Sequence, residues 1–199
     1  MVATRQDLAR NVLHQCLASA ALLRQLGEQY AEQIAEVAEV MIAALRAGHK
    51  ILVCGNGGSA ADAQHFAAEM IGRFRRERQP IPVLALTTDS SILTAVGNDY
   101  GFEQVFEREV AGLGASGDVL VGISTSGNSA NVAHAMRWAR AHGITTVGLL
   151  GSGGGVIAGA CDLAIVVPAH EPARIQECHG VIIHALCDLI EQACTQGDG

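Results

Sequence analysis

Three groups of side chains in this 199-residue sequence have the types and spacings of a site for a small anionic substrate. Gly55-Asn56-Gly57-Gly58-Ser59 and Ser124-Thr125-Ser126-Gly127-Asn128-Ser129 each combine glycine with amide or hydroxyl residues. Glycine lets backbone N–H groups turn toward an anion, and a helix that follows adds a partial positive charge. The second loop offers four hydroxyls and no lysine. Hydroxyls with amides suit a phosphate monoester better than a nucleoside triphosphate with magnesium, and the first loop fits neither nucleotide-binding glycine signature. A capped turn is the plain alternative for either loop taken alone. His65 and Glu69 are four apart, on one face of a helix; such a pair could bind a divalent metal or simply face solvent. A late segment carries Gln176, Glu177, His179 and His184. On a helix, Gln176 and His184 are about 12 Å and about 80° apart. They meet one small ligand only if both lean inward, or they serve it from a junction between subunits. A histidine on an apolar helix is more often a packed core residue. Arg73, Arg75, Arg76 and Arg78 read as a solvated helix end, with Arg73 nearest the candidate site.

The elements that must position these groups alternate. Residues 5–47 read as two helices that precede any strand: one carries Leu8, Val12, Cys16 and Ala20, the other Tyr30, Ile34, Val37, Val40, Met41 and Leu45. Short apolar strands follow at 50–54, 81–86, 118–124, 145–151 and 162–167. Helices are expected over 60–74, 91–97, 100–113, 129–142 and 171–195, with a glycine-rich loop and a short helix after 151. Strands separated by helices imply parallel pairing with right-handed crossovers. Strands apolar throughout imply that both sheet faces are covered. The expectation is a doubly wound, five-stranded parallel α/β domain over 49–199 with a helical arm over 1–48. Both glycine-rich loops follow strands and precede helices, where open parallel sheets bind ligands.

Composition narrows the function classes. Hydrophobic residues make up 49% and charged residues 17%, which excludes a disordered chain. The formal charge of −7 argues against nucleic acid as a direct ligand, because phosphate neutralisation supplies most of that affinity. The longest apolar stretches, such as 119–123 and 163–168, are too short to span a bilayer. The N-terminus carries Arg5 and Asp7 where a signal peptide would be apolar, so a cytoplasmic location is expected. The six cysteines include no CxxC pair and read as reduced, mostly buried thiols. A mean hydropathy of +0.27 is apolar for so small a chain and points to surface hidden in an oligomer.

Four segments in order, CGNGGSAADAQHFAAE, ALTTDSSILTAVGNDYGFE, GDVLVGISTSGNSANV and ARIQECHGVIIH, resemble the sedoheptulose-7-phosphate isomerases, or phosphoheptose isomerases, of the sugar isomerase (SIS) fold. The resemblance runs from about residue 30 to residue 192. It implies an aldose–ketose isomerase that converts D-sedoheptulose 7-phosphate to D-glycero-D-manno-heptose 7-phosphate through an enediol, the first step of heptose nucleotide biosynthesis. It also implies a homotetramer with active sites between subunits and one zinc ion per subunit, without nucleic-acid or membrane partners. By position, Asn56, Gly57, Gly58 and Ser59 match the first substrate loop, and Ser124, Thr125, Ser126 and Ser129 the phosphate loop. Asn98 and Asp99 match a pair that contacts the sugar. His65, Glu69, Gln176 and His184 match the metal ligands, and Glu69 with His184 the acid–base pair. Ala173 departs from some isomerases, which carry an acid there. Two other readings stay open. One is a non-catalytic adaptor, like the similar DnaA initiator-associating protein, in whose branch the positions of Glu69 and His184 are no longer acidic and imidazole. The other is a sensor that binds a sugar phosphate as effector.

Overall fold

The computed structural model describes residues 3–195. In chain order the elements are α1 (Arg5–Arg46), β1 (Ile51–Gly55), α2 (Gly58–Ile71), β2 (Val83–Ala85), α3 (Ser90–Tyr100), α4 (Val105–Leu113), β3 (Val119–Ser124), α5 (Ala130–Ala141), β4 (Thr145–Leu150), α6 (Gly155–Ala158), β5 (Leu163–Val166) and α7 (Pro172–Thr195). The strands form one all-parallel sheet in the order β2-β1-β3-β4-β5. The expected doubly wound α/β fold is therefore present. The chain moves outward from β1 to β2 and then crosses back to β3, so the winding reverses between β1 and β3.

Strand period places successive side chains on opposite faces. Ile51, Val53, Val119, Val121, Ile123, Val147 and Leu149 face one apolar layer, which α1, α2 and α7 complete with Met41, Phe66 and Ile182. Leu52, Cys54, Leu120 and Leu150 face a second layer, completed from α4 and α5 by Val110, Val132 and Met136. Gly122 sits where a Cβ would come within 2.8 Å of Val132, so its missing side chain lets α5 close on β3. Cys54, Cys161, Cys178 and Cys187 are buried. Burial pushes the thiols of Cys161 and Cys187 up to about 12, so they pack as neutral groups.

The arm departs from expectation. One 42-residue helix replaces the two, about 60 Å long at 1.5 Å per residue. Thr4 and Asp7 form a capping box at its start. Nothing after it breaks the hydrogen-bond ladder: Gly27 costs only about 1 kcal/mol relative to alanine, and the burial of Leu26 beside it offsets that. From Leu26 onward, α1 joins the sheet's apolar layer through Ile34, Val37, Ala38 and Met41. Its first turns project, leaving Leu8, Val12, Leu13 and Leu17 each more than half exposed. Arg174 and Glu177 of α7 fasten the root of the projection. Arg174 donates to the Gln15 carbonyl and the Ser19 hydroxyl, and Ser19 donates to Glu177 at 2.6 Å.

The arginine run also departs. α2 ends at Ile71 rather than 74. Arg73 and Arg75 are solvated, but the Arg78 side chain is 5% exposed and ion-paired with buried Glu191. Both edges of the sheet are short. β2 has three residues and follows Pro82, while the carbonyl of Ala164 on β5 accepts the Gln33 amide of α1 at 2.9 Å.

Candidate active site

The two glycine-rich loops leave the carboxyl ends of β1 and β3, neighbours at the point where the winding reverses. Ligands of open parallel sheets bind at such a point. Side-chain amides tie the loops together: Asn56 donates to Asn131 at 2.9 Å and Asn131 donates back at 2.8 Å. Asn131, on α5, is buried, and sequence reasoning passed over it. It lies two residues beyond the hydroxyl-rich loop, and nothing in its residue type marked it.

Within the second loop, the Ser124 and Ser129 hydroxyls are 3.0 Å apart and those of Ser124 and Ser126 are 3.4 Å apart. Ser129 stands at the N-cap of α5, yet its side chain makes no capping hydrogen bond. The loop is thus not held by the capping contact that would make it a plain helix start. Ser126 instead accepts the Asn128 N–H at 3.1 Å, and the Asn128 side chain accepts the Val156 N–H at 3.1 Å, seating the loop on α6. Gly127 has φ +66 and lies against the Gly154 backbone, where no Cβ fits. Thr125 is half-buried and Ser126 is exposed.

The first loop carries Gly57 at φ +55 and then opens α2. The Gln176 side chain of α7 lies directly over Gly58, where a Cβ would strike it. Ser59 is buried at the start of α2. Asp62, one turn on, was also missed. Its Oδ2 is buried without a hydrogen-bond partner among the described residues. Burial pushes its carboxyl up, against the opposing pull of Gln176 and His65.

Helices α2 and α7 bring the titratable groups together. His65 Nε2 is 2.9 Å from His184 Nε2 and 3.7 Å from Glu69 Oε1. The two imidazoles meet edge to face, with centroids 5.1 Å apart. So His184 does lean toward α2, and Gln176 reaches the first loop one helical stretch away. His179, between them, is a core residue. It contacts the Leu150 carbonyl at 3.2 Å, and burial lowers its pKa to about 4. Asn98 and Asp99 lie exposed at the end of α3 and bond to each other at 2.8 Å. No hydrogen bond among the described residues ties this pair to either loop. Below the sheet's other face, α4 buries Glu109, whose Oε2 has no partner among the described residues. Burial, with Asp89 nearby, raises its pKa to about 7.

The site is an open shelf in a single chain: Gly57, Gly58, His65 and His184 are all exposed. A concavity of about 590 Å³ between α5 and α6, lined by Arg137, Arg140 and Val156, includes none of these residues. The shelf offers hydroxyls and amides at one end and two imidazoles with a carboxylate at the other. That combination can hold an anion and move protons some distance from it.

The family description "SIS domain" matches residues 16–151. A phosphoheptose isomerase of Trichlorobacter lovleyi is 52% identical over 172 residues, covering 86% of this chain and 88% of its own. One of Geobacter sulfurreducens is 53% identical over 182 residues, covering 92% and 96%. The solved phosphoheptose isomerase of Neisseria gonorrhoeae superposes with a TM-score of 0.89 at 47% identity, covering 93% of this chain and 99% of that one.

Proposed function

This chain belongs to the phosphoheptose isomerase family of SIS-domain proteins, and we propose that it performs its isomerisation on the shelf between β1, β3 and α7. It is an aldose–ketose isomerase that converts D-sedoheptulose 7-phosphate to D-glycero-D-manno-heptose 7-phosphate. The observation that carries the site assignment is the convergence of Glu69, His65 and His184 beside two anion-ready loops. An adaptor or an effector sensor has no use for that convergence.

The 7-phosphate takes the loop of Ser124, Thr125, Ser126 and Ser129, with the start of α5 behind it. Asn56, Gly57, Gly58 and Ser59 border the sugar chain, and Asn131 fixes Asn56 from below. The open-chain ketose then extends toward α2 and α7. Isomerisation removes a proton from C1, passes through the enediol and returns a proton to C2, while a second proton moves between O1 and O2. Glu69 and His184 share this work, one on carbon and one on oxygen. Binding energy from the distant phosphate holds C1 and C2 in place for them.

The donors His65, Glu69, Gln176 and His184 fit a zinc ion in type: two imidazoles, a carboxylate and an amide. The fit is partial in position. Among the described residues no three His, Cys, Asp or Glu side chains stand as a finished metal site. The imidazole nitrogens already converge, and the Asp62 carboxyl, whose Oδ2 has no partner among the described residues, interacts with the Gln176 amide. A zinc ion held by these residues would supply Lewis-acid polarisation of the ketose carbonyl.

The exposed stripe Leu8, Val12, Leu13 and Leu17 supports a homotetramer packed through α1. Asn98 and Asp99 then serve a site shared between subunits. The reaction is assigned to the cytoplasm, in keeping with the buried reduced thiols. No helix among the described residues is long and apolar enough to cross a membrane.

Incubating the pure protein with sedoheptulose 7-phosphate and detecting the aldose tests the reading. Glu69→Gln keeps side-chain volume but cannot exchange a proton, and turnover should fall at least about 100-fold. Near-normal turnover by that variant overturns the acid–base assignment.

A further inference from the structure

The segment after α2 carries a cluster that the isomerisation described above leaves without a role. Glu191, on α7, is wholly buried. Its Oε1 accepts the backbone N–H of Phe74 at 3.0 Å, and its Oε2 accepts those of Arg75 and Arg76 at 2.8 Å each. Arg78 closes the far side, with Nε 3.3 Å from Glu191 Oε1. The Arg78 terminal nitrogens donate to the carbonyls of Met70 at 2.7 Å and Glu69 at 2.9 Å, at the end of α2. Burial alone would push this carboxyl up, but the three N–H groups and Arg78 hold it below the usual range.

The segment so held presents one ring. Phe74 stacks on His184 with centroids 5.6 Å apart and planes 29° apart. The Arg75 guanidinium lies 5.0 Å from the Phe74 centroid. His184 is therefore flanked by Phe74 and by the edge of His65. Both groups assigned to proton movement, Glu69 and His184, connect to the one buried carboxylate.

We propose that Glu191 is a positioning residue for the isomerisation: it sets the plane of the His184 imidazole through Phe74 and pins the Glu69 end of α2 through Arg78. This rests on the reading that His184 and Glu69 serve the reacting carbons. Proton transfer depends steeply on alignment, whereas substrate affinity comes largely from the phosphate end. Loss of the clamp therefore lowers kcat and spares KM.

The test compares wild type with Phe74→Leu, Phe74→Tyr, Glu191→Gln and the Phe74→Leu/Glu191→Gln double variant. Phe74→Leu should lower kcat about 10- to 100-fold, with KM within about twofold. Phe74→Tyr restores a ring and should recover most of that loss. Stacking on Phe74 shifts the His184 ring proton in the NMR spectrum. Phe74→Leu and Glu191→Gln should move that resonance in the same direction. Because Glu191 acts partly through Phe74, the double variant should be no slower than Glu191→Gln alone, within about twofold. Wild-type kcat in Phe74→Leu, an unmoved His184 resonance in Glu191→Gln, or losses that multiply in the double variant each overturn the proposal. Should Glu191→Gln fail to fold, the Leu and Tyr variants at 74 decide it. Glu69→Gln run alongside separates the two readings. If it is inactive and Phe74→Leu is unimpaired, only the clamp falls. If it is active, the acid–base assignment falls as well.

Discussion

At the scale of single residues, two buried titrating groups predict opposite responses to pH. Glu109 has a pKa of about 7 in the fold, against an ordinary value of 4.5. The folded chain keeps a proton that the unfolded chain releases, so its contribution is intact below pH 4.5 and fades as pH rises through 7. Glu109→Gln removes the cost of ionisation. Its Tm should exceed that of wild type at pH 8 and match it near pH 5; a Tm difference independent of pH rules this out. His179 runs the other way, with a pKa of about 4 against 6.5. Its contribution is whole above pH 6.5 and fades as pH falls toward 4. His179→Gln should flatten the acid limb of a Tm-against-pH curve, and an unchanged limb counts against it. Gly58→Ala belongs at this scale too. A methyl group there pushes the Gln176 amide off the first loop. Activity should fall about tenfold or more, as for one misplaced polar group, while circular dichroism stays unchanged.

At the scale of elements, the hydroxyl-rich loop after β3 is a unit clipped to α6. Gly127→Ala meets the Gly154 backbone and forces a left-handed residue to carry a side chain. KM for the phosphorylated substrate should rise about tenfold for each ~1.4 kcal/mol by which phosphate binding weakens, with a smaller fall in kcat. Unchanged KM would mean that the phosphate sits elsewhere. The same loop shows what a sequence makes legible. Strands β1, β3, β4 and β5 lie within a residue or two of expectation, because short, largely apolar runs bounded by glycine, hydroxyl residues or proline leave few other structures. The hydroxyl and glycine loops are visible by residue type. Asn131 and Asp62 are not, since an asparagine or aspartate on a helix looks ordinary until its partner arrives from another part of the chain. The arginines mislead for the same reason. Arg78 reads as solvated until Glu191, 113 positions later, is seen buried beneath it. The arm reads as two helices because its two apolar runs lie on either side of Gly27, where its burial, not its backbone, changes.

At the scale of the whole molecule, the projecting half of α1 presents a leucine and valine stripe that a monomer would leave in water. Leu13→Glu with Leu17→Glu should reduce the scattering mass toward the 20.7 kDa monomer while helicity persists. Activity should fall with the mass if subunits share sites; full activity at monomer mass defeats the shared-site assignment. The edges of the sheet add a constraint on how copies can meet. β2 is three residues long behind a proline, and β5 has its Ala164 carbonyl taken by Gln33. Unpaired strand edges are templates for runaway addition of further strands. With so little ladder on offer, these molecules are steered away from fibrous aggregation. Concentrated or partly denatured samples should cluster through exposed helical stripes into amorphous, dispersible particles rather than ordered filaments.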